Sequence, residues 1–96
     1  MLAVIDKDAD AKIRYSISWK KWLASSPDSD VILTNSVWRV EPDGELEVDG
    51  DSRTDSITTV RLIGGELLKE YDVVNRVTAS NGDEDERTIR VRIVRR

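Results

Sequence analysis

The sequence predicts an all-β sandwich of about seven short strands. Three observations carry that prediction. Apolar residues recur with period two along most of the chain, the mark of half-buried strands. Turn signals punctuate it roughly every 8–12 residues, the spacing of small sandwiches and barrels. Tyr71 opens the penultimate strand in the inward register, where a sandwich can carry a tyrosine corner. In that corner the ring turns inward and the hydroxyl bonds backbone a few residues upstream.

Each element follows from its own pattern. Leu2 to Ile5 is a candidate first strand, and it runs directly into Asp6, Lys7 and Asp8. Lys12 to Trp19 sets Ile13, Tyr15, Ile17 and Trp19 on one face against Arg14, Ser16 and Ser18 on the other. The period fails at Lys20-Lys21. Ala24 to Asp30 is a loop by composition, rich in side chains that bond their own backbone. Val31 to Val40 changes its apolar parity near Asn35, which predicts a bulge there. Glu41-Pro42-Asp43-Gly44 is a turn, with Pro presetting its own angle and Gly free to end it.

Glu45 to Val48 returns with Leu46 and Val48 inward, and Asp49 to Asp55 is expected to be a polar loop. Ser56 to Ile63 is a β-branched strand in which Ile57, Thr59 and Arg61 alternate with Thr58, Val60 and Leu62. Gly64-Gly65 breaks it. Glu66 to Glu70 is expected to form one helical turn. Tyr71 to Ala79 is a long strand with Tyr71, Val73, Asn75, Val77 and Ala79 inward. Asn81-Gly82 is a strong hairpin signal, and the acidic stretch Asp83 to Glu86 is expected to lengthen that loop. The last strand, Thr88 to Val94, points Ile89, Val91 and Ile93 inward and Arg90 and Arg92 outward. Together these elements specify an immunoglobulin/fibronectin-III-like β-sandwich of about seven antiparallel strands, one domain over residues 1–96. Trp38 on the third strand is its expected buried anchor, with Trp19 also in the core.

Composition narrows the functions open to such a domain. The chain has 96 residues, a formal net charge of −4, no cysteine and no histidine. Thiolate metal sites and disulfides are excluded, and packing alone must hold the core. The commonest general base and metal ligand is missing. Gly64-Gly65 lacks the Lys and Ser or Thr of a phosphate loop. No enzyme, no cofactor and no nucleic-acid partner is expected, since a nucleic-acid face needs net positive charge. The N-terminal apolar run is too short for a signal-peptide core or a membrane span, so the mature chain is expected to begin at or near Met1.

The residues left over are candidates for contact with a protein partner. Trp22 either caps the core or sits in an interface, where tryptophan is enriched. Asp83, Glu84, Asp85 and Glu86 are either a solvated tip, a docking surface for a basic partner, or a cation site. Arg90, Arg92 and Arg95, with Arg87 and Arg96, either discourage edge-to-edge pairing or meet an acidic neighbour. Asp49, Asp51 and Asp55 alternate as calcium ligands do, but Thr54 and Arg61 stand where a helix-loop-helix calcium site needs Gly and Glu.

Three stretches add a resemblance. Asp6-Lys7-Asp8-Ala9-Asp10 leads into Tyr15-Ser16-Ile17-Ser18-Trp19. Asp30-Val31-Ile32 is followed by Ser36-Val37-Trp38. Gly64-Gly65 precedes Tyr71-Asp72-Val73-Val74-Asn75-Arg76-Val77-Thr78, then Gly82 and an Arg-led last strand. In this order they resemble the small fiber-tail adaptor proteins of tailed bacteriophages, over about Asp6 to Val94. Departures are Ala9 where that family has Pro, a longer, more acidic loop at Asn81 to Glu86, and a segment Glu66 to Glu70 that reads as more helix-like than the short turn expected of the family. The resemblance implies a structural component of the virion, made in the host bacterial cytoplasm and present in several copies. It would join a fiber or spike to the tail tube or nozzle through protein contacts, with no catalytic residue and no membrane. A capsid decoration or carbohydrate-binding module using Trp22 is the alternative.

Overall fold

A computed structural model describes residues 3–95; Met1, Leu2 and Arg96 lie outside the described residues. The elements are β1 (Ala3–Asp8), β2 (Ile13–Ser18), α1 (Lys20–Ala24), β3 (Leu33–Glu41), β4 (Leu46–Arg53), β5 (Ile57–Gly64), β6 (Glu70–Ala79) and β7 (Glu84–Val94). They form two sheets, one ordered β1-β7-β6-β3 and the other β2-β5-β4. The core lies between them. Ile17, Val60 and Leu62 come from one side and Val73, Val77, Ile89 and Val91 from the other. These are the alternate residues that period two had marked as inward.

The expected bulge is present. β3 pairs Leu33 with Ala79 but Asn35 with Thr78, so its register slips between those residues. That slip returns both Leu33 and the set Ser36, Trp38 and Val40 to the inner face. The Tyr71 corner is also present: the Glu66 N–H donates to the Tyr71 hydroxyl at 3.2 Å, five residues upstream of the ring. At Gly64 and Gly65 φ is +76° and +107°. A Cβ would meet the Glu45 carbonyl at the first and Ile93 Cδ1 at the second. Only glycine serves at this corner.

Five expectations are corrected. The strands are not all antiparallel: β1 runs parallel to β7, Ala3 opposite Ile89 through Asp8 opposite Val94. The last strand is therefore interior there, and Arg90 and Arg92 do not guard an open edge. Asp49 to Arg53 is not loop but the second half of β4, which resumes pairing at Asp51–Val60 after a bulge. An edge strand with a solvated face needs no apolar residues, so composition hid it. Glu66 to Glu70 is not helical; the Lys69 N–H closes a turn onto the Glu66 carbonyl at 3.0 Å. Glu84 to Glu86 belongs to β7, opposite Arg76, Val77 and Thr78. Finally, the fully buried tryptophan is Trp19. Trp38 is only partly buried on edge strand β3, with its buried Nε1 unpartnered among the described residues.

Beside the apolar core runs a polar one. Asn75 is wholly buried on the inner face of β6. Its Oδ1 accepts from Trp19 Nε1 at 3.1 Å and from the Thr58 hydroxyl at 2.6 Å. Its Nδ2 donates to Ser36 Oγ at 2.9 Å and to the Val37 carbonyl at 3.2 Å. All four hydrogen-bonding sites of the amide are used. One side chain thus ties β3 and β6 to β5 and to the Trp19 that follows β2. Lys7 does similar work at the far end. It is 1% exposed, and its ammonium donates to the Gly64 carbonyl at 2.6 Å and the Asp8 carbonyl at 2.8 Å. Burial lowers its pKa, an effect partly offset by Asp8 and Asp10.

The strands run along the long axis of a 45 × 23 × 21 Å body. One pole gathers α1 and the chain through Leu33, the β4–β5 turn and the β6–β7 hairpin. The other gathers the β1–β2, β3–β4 and β5–β6 connections and the end of β7.

Candidate interaction surface

The outer face of the four-stranded sheet is a ladder of charge pairs. Register sets Glu70 opposite Arg92, Asp72 opposite Arg90, Arg76 opposite Glu86 and Thr78 opposite Glu84. Arg90 Nε donates to Asp72 Oδ1 at 3.0 Å, and Arg92 Nε to Asp6 Oδ1 at 2.9 Å on β1. Arg39 reaches Glu41 at 2.7 Å and Glu86 at 3.2 Å; Arg76 reaches Glu86 at 3.3 Å and Glu84 at 3.4 Å. The Arg39 hydrogen bond, with Arg76 beside it, holds the Glu86 carboxyl below the usual carboxylate range. Asp72 raises the Arg90 pKa still further above neutrality. Exposed pairs of this kind add little stability each, because solvent screens them. Their effect here is on the surface, which alternates in sign around the exposed Val4 and Val37.

This geometry divides the eight candidate contact residues. Glu84, Glu86, Arg90 and Arg92 are engaged in that ladder. Asp83 and Asp85 are exposed at the hairpin and, among the described residues, form no ion pair. Asp83 instead accepts from Asn81 Nδ2 at 3.1 Å, within a knot that also binds Ser26 and Asp28. Arg95 is exposed at the opposite pole. Trp22 is partly buried and stands edge-on to Trp19, with ring centroids 5.5 Å apart. The Arg87 guanidinium lies over the Trp19 ring, 4.2 Å from its centroid, and donates to the Ser18 carbonyl at 2.9 Å. Arg87 is thus a structural lid on the core.

The outer face of the three-stranded sheet differs. Arg14 and Arg61 stand directly opposite each other, beside a shallow concavity also lined by Asp49 and Asp51. Asp49 approaches Arg61 at 3.6 Å. Asp49, Asp51 and Asp55 do not converge, and among the described residues no group of three or more acidic side chains is placed to hold a metal ion. No helix among them is long and apolar enough to cross a membrane.

Fold and surface define a class: a small two-sheet β module whose polar chemistry is spread over sheet faces and poles. The chain matches, over residues 7–92, the family described as Podophage GP4 fiber-tail adaptor protein gp77, and it belongs to that family. Membership supports a phage tail adaptor role and implies a component of the virion. No curated protein matches the chain significantly.

The three stretches that carried the resemblance meet in space. Trp19 of the first, Ser36 of the second and Asn75 of the third are joined at the Asn75 amide. Lys7 of the first grips Gly64 of the third. The signature therefore describes how the fold is held. Period two points Asn75 inward but assigns it no partners. The available signal was a lone amide between Val73 and Val77, which cannot stay buried unbonded.

Proposed function

We propose that this chain is a non-enzymatic adaptor that joins a fiber or spike to the podophage tail, contacting one protein neighbour at each pole. The observation that carries this reading is the division of the surface. The long face of the larger sheet is dominated by internal charge pairs, with Val4 and Val37 exposed among them, while the poles carry exposed groups that stand outside that ladder. Trp22, Asp83 and Asp85 lie at the helix pole, and Arg95 lies at the other. Glu84, Glu86, Arg90 and Arg92 would meet a neighbour only as a neutralised ladder along the side. A body 45 Å long with distinct ends suits a linker between two different surfaces.

Strand order supports an immunoglobulin-like assignment in a single domain. With β2 to β7 equated to strands B to G, the sheets become B-E-D and G-F-C, the division of immunoglobulin domains. β1 then joins the last strand instead of the second. The test is genetic. Deleting the gene should give particles with tails but without fibers, restored by the wild-type chain. Particles that keep their fibers in its absence would rule the reading out.

A further inference from the structure

Leu68 carries two unfavourable features at once. It takes the third position of the Glu66–Lys69 turn with φ +68°. Glycine or asparagine adopts that conformation easily, and a bulky residue does so only under strain. Its side chain is also 85% exposed, the most exposed large apolar residue described. Sequence elsewhere in the same connection avoids both problems, since the other positive-φ positions are Gly64 and Gly65 and Leu67 is partly buried.

The tip does not float. The Leu68 N–H donates to the Ile93 carbonyl at 2.9 Å, and the Ile93 N–H donates to the Lys69 carbonyl at 2.9 Å. The isobutyl group is therefore held out from the pole on a turn bonded to the end of β7, with exposed Glu66 and Lys69 beside it. With Leu68 85% exposed, burial among the described residues offsets neither feature. An ordered apolar knob with a charged rim has the anatomy of an interface anchor: little freedom is lost on docking, and the apolar centre is desolvated.

We propose that Leu68 is the anchor by which this pole docks into an apolar pocket on a different virion protein, with Glu66 and Lys69 at the rim. The proposal rests on the adaptor reading above. A second copy of this chain is the less suitable occupant, because a net charge of −4 opposes self-association. The pocket must be of leucine size, with a donor facing Glu66 and an acceptor facing Lys69.

The test uses the full-length chain added to purified particles assembled without it, with incorporation followed against concentration. Leu68→Asn relieves the backbone and should raise the melting temperature by about 2–6 °C. The same change should raise the half-saturating concentration by about 10-fold or more. Leu68→Met keeps the apolar reach and should stay within about 3-fold of wild type. Wild-type incorporation matched by Leu68→Asn would overturn the anchor and leave the adaptor reading standing. A fall in melting temperature for Leu68→Asn would overturn it too, since the leucine would then serve its own fold. Failure of the wild type to incorporate would sink the adaptor reading and the anchor with it. Wild-type self-association in sedimentation, abolished by Leu68→Asn, would overturn the choice of partner.

Discussion

Replacing Asn75 with alanine tests the polar core most sharply. The change removes four hydrogen bonds at once: from Trp19 Nε1, from Thr58, to Ser36 and to the Val37 carbonyl. Their loss is unequal. Trp19 Nε1 keeps a second acceptor, Thr58 Oγ1 at 3.1 Å, and Ser36, being partly exposed, can turn to water. The Thr58 hydroxyl and the Val37 carbonyl lose the most. At about 0.5–1.5 kcal/mol net per bond, with the Trp19 and Ser36 bonds counted only in part, the loss is roughly 2–4 kcal/mol. The vacated amide volume adds about 1 kcal/mol. The expected loss is about 3–5 kcal/mol, a large share of the roughly 5–15 kcal/mol that holds a domain together. Urea unfolding of wild type and variant measures it as a shift of midpoint at constant slope. Thr58→Val closes a double-mutant cycle, and a coupling of about 1 kcal/mol or more is expected between the two. A loss below about 1 kcal/mol, or strict additivity, would refute the view that one amide joins the strands.

Three further outcomes follow from the same structure. Tyr71→Phe removes the acceptor of the Glu66 N–H and should cost about 0.5–1.5 kcal/mol in chemical denaturation, with incorporation into particles unchanged. Gly65→Ala forces a side chain into Ile93 at a positive φ and should cost about 2–4 kcal/mol by the same assay. For Lys7, the folded-state pKa lies below the unfolded value of 10.5. The unfolded chain therefore binds the extra proton, and the neutral-amine contribution is present above 10.5 and lost as pH falls through the folded pKa. Relative to Lys7→Met, wild type should gain stability between neutral pH and about pH 10, read from melting curves at both ends; a constant difference would argue against a buried, desolvated ammonium.

How much of this was readable in advance depended on which face a residue serves. Inward faces repeat apolar residues with period two, so β2, β5, β6 and the apolar half of β7 were plain, as was the parity change that announced the bulge near Asn35. Outward faces and edges leave no such trace. Asp49 to Arg53 and Glu84 to Glu86 are strand residues with loop composition, because their neighbours are water and oppositely charged side chains. Parity also gives direction without depth: Trp19 and Trp38 both point inward, but only Trp19 is enclosed, with Trp22 edge-on to its ring, Arg87 against it and Thr58 and Asn75 on its Nε1. The parallel pairing of β1 and the φ of Leu68 depend on tertiary context, which local composition does not carry. Among the candidate contacts, residue type alone could not separate Arg90 and Arg92, which are paired in the ladder, from Asp83 and Asp85, which are not.

Cross-linking mass spectrometry of purified particles tests the two-pole adaptor most directly. Lys20 and Lys21 report from the helix pole, Lys12 and Lys69 from the other. The account predicts that the first pair links to one virion protein and the second pair to a different one. Links from both poles to a single protein, or none to any tail or fiber component, would contradict it.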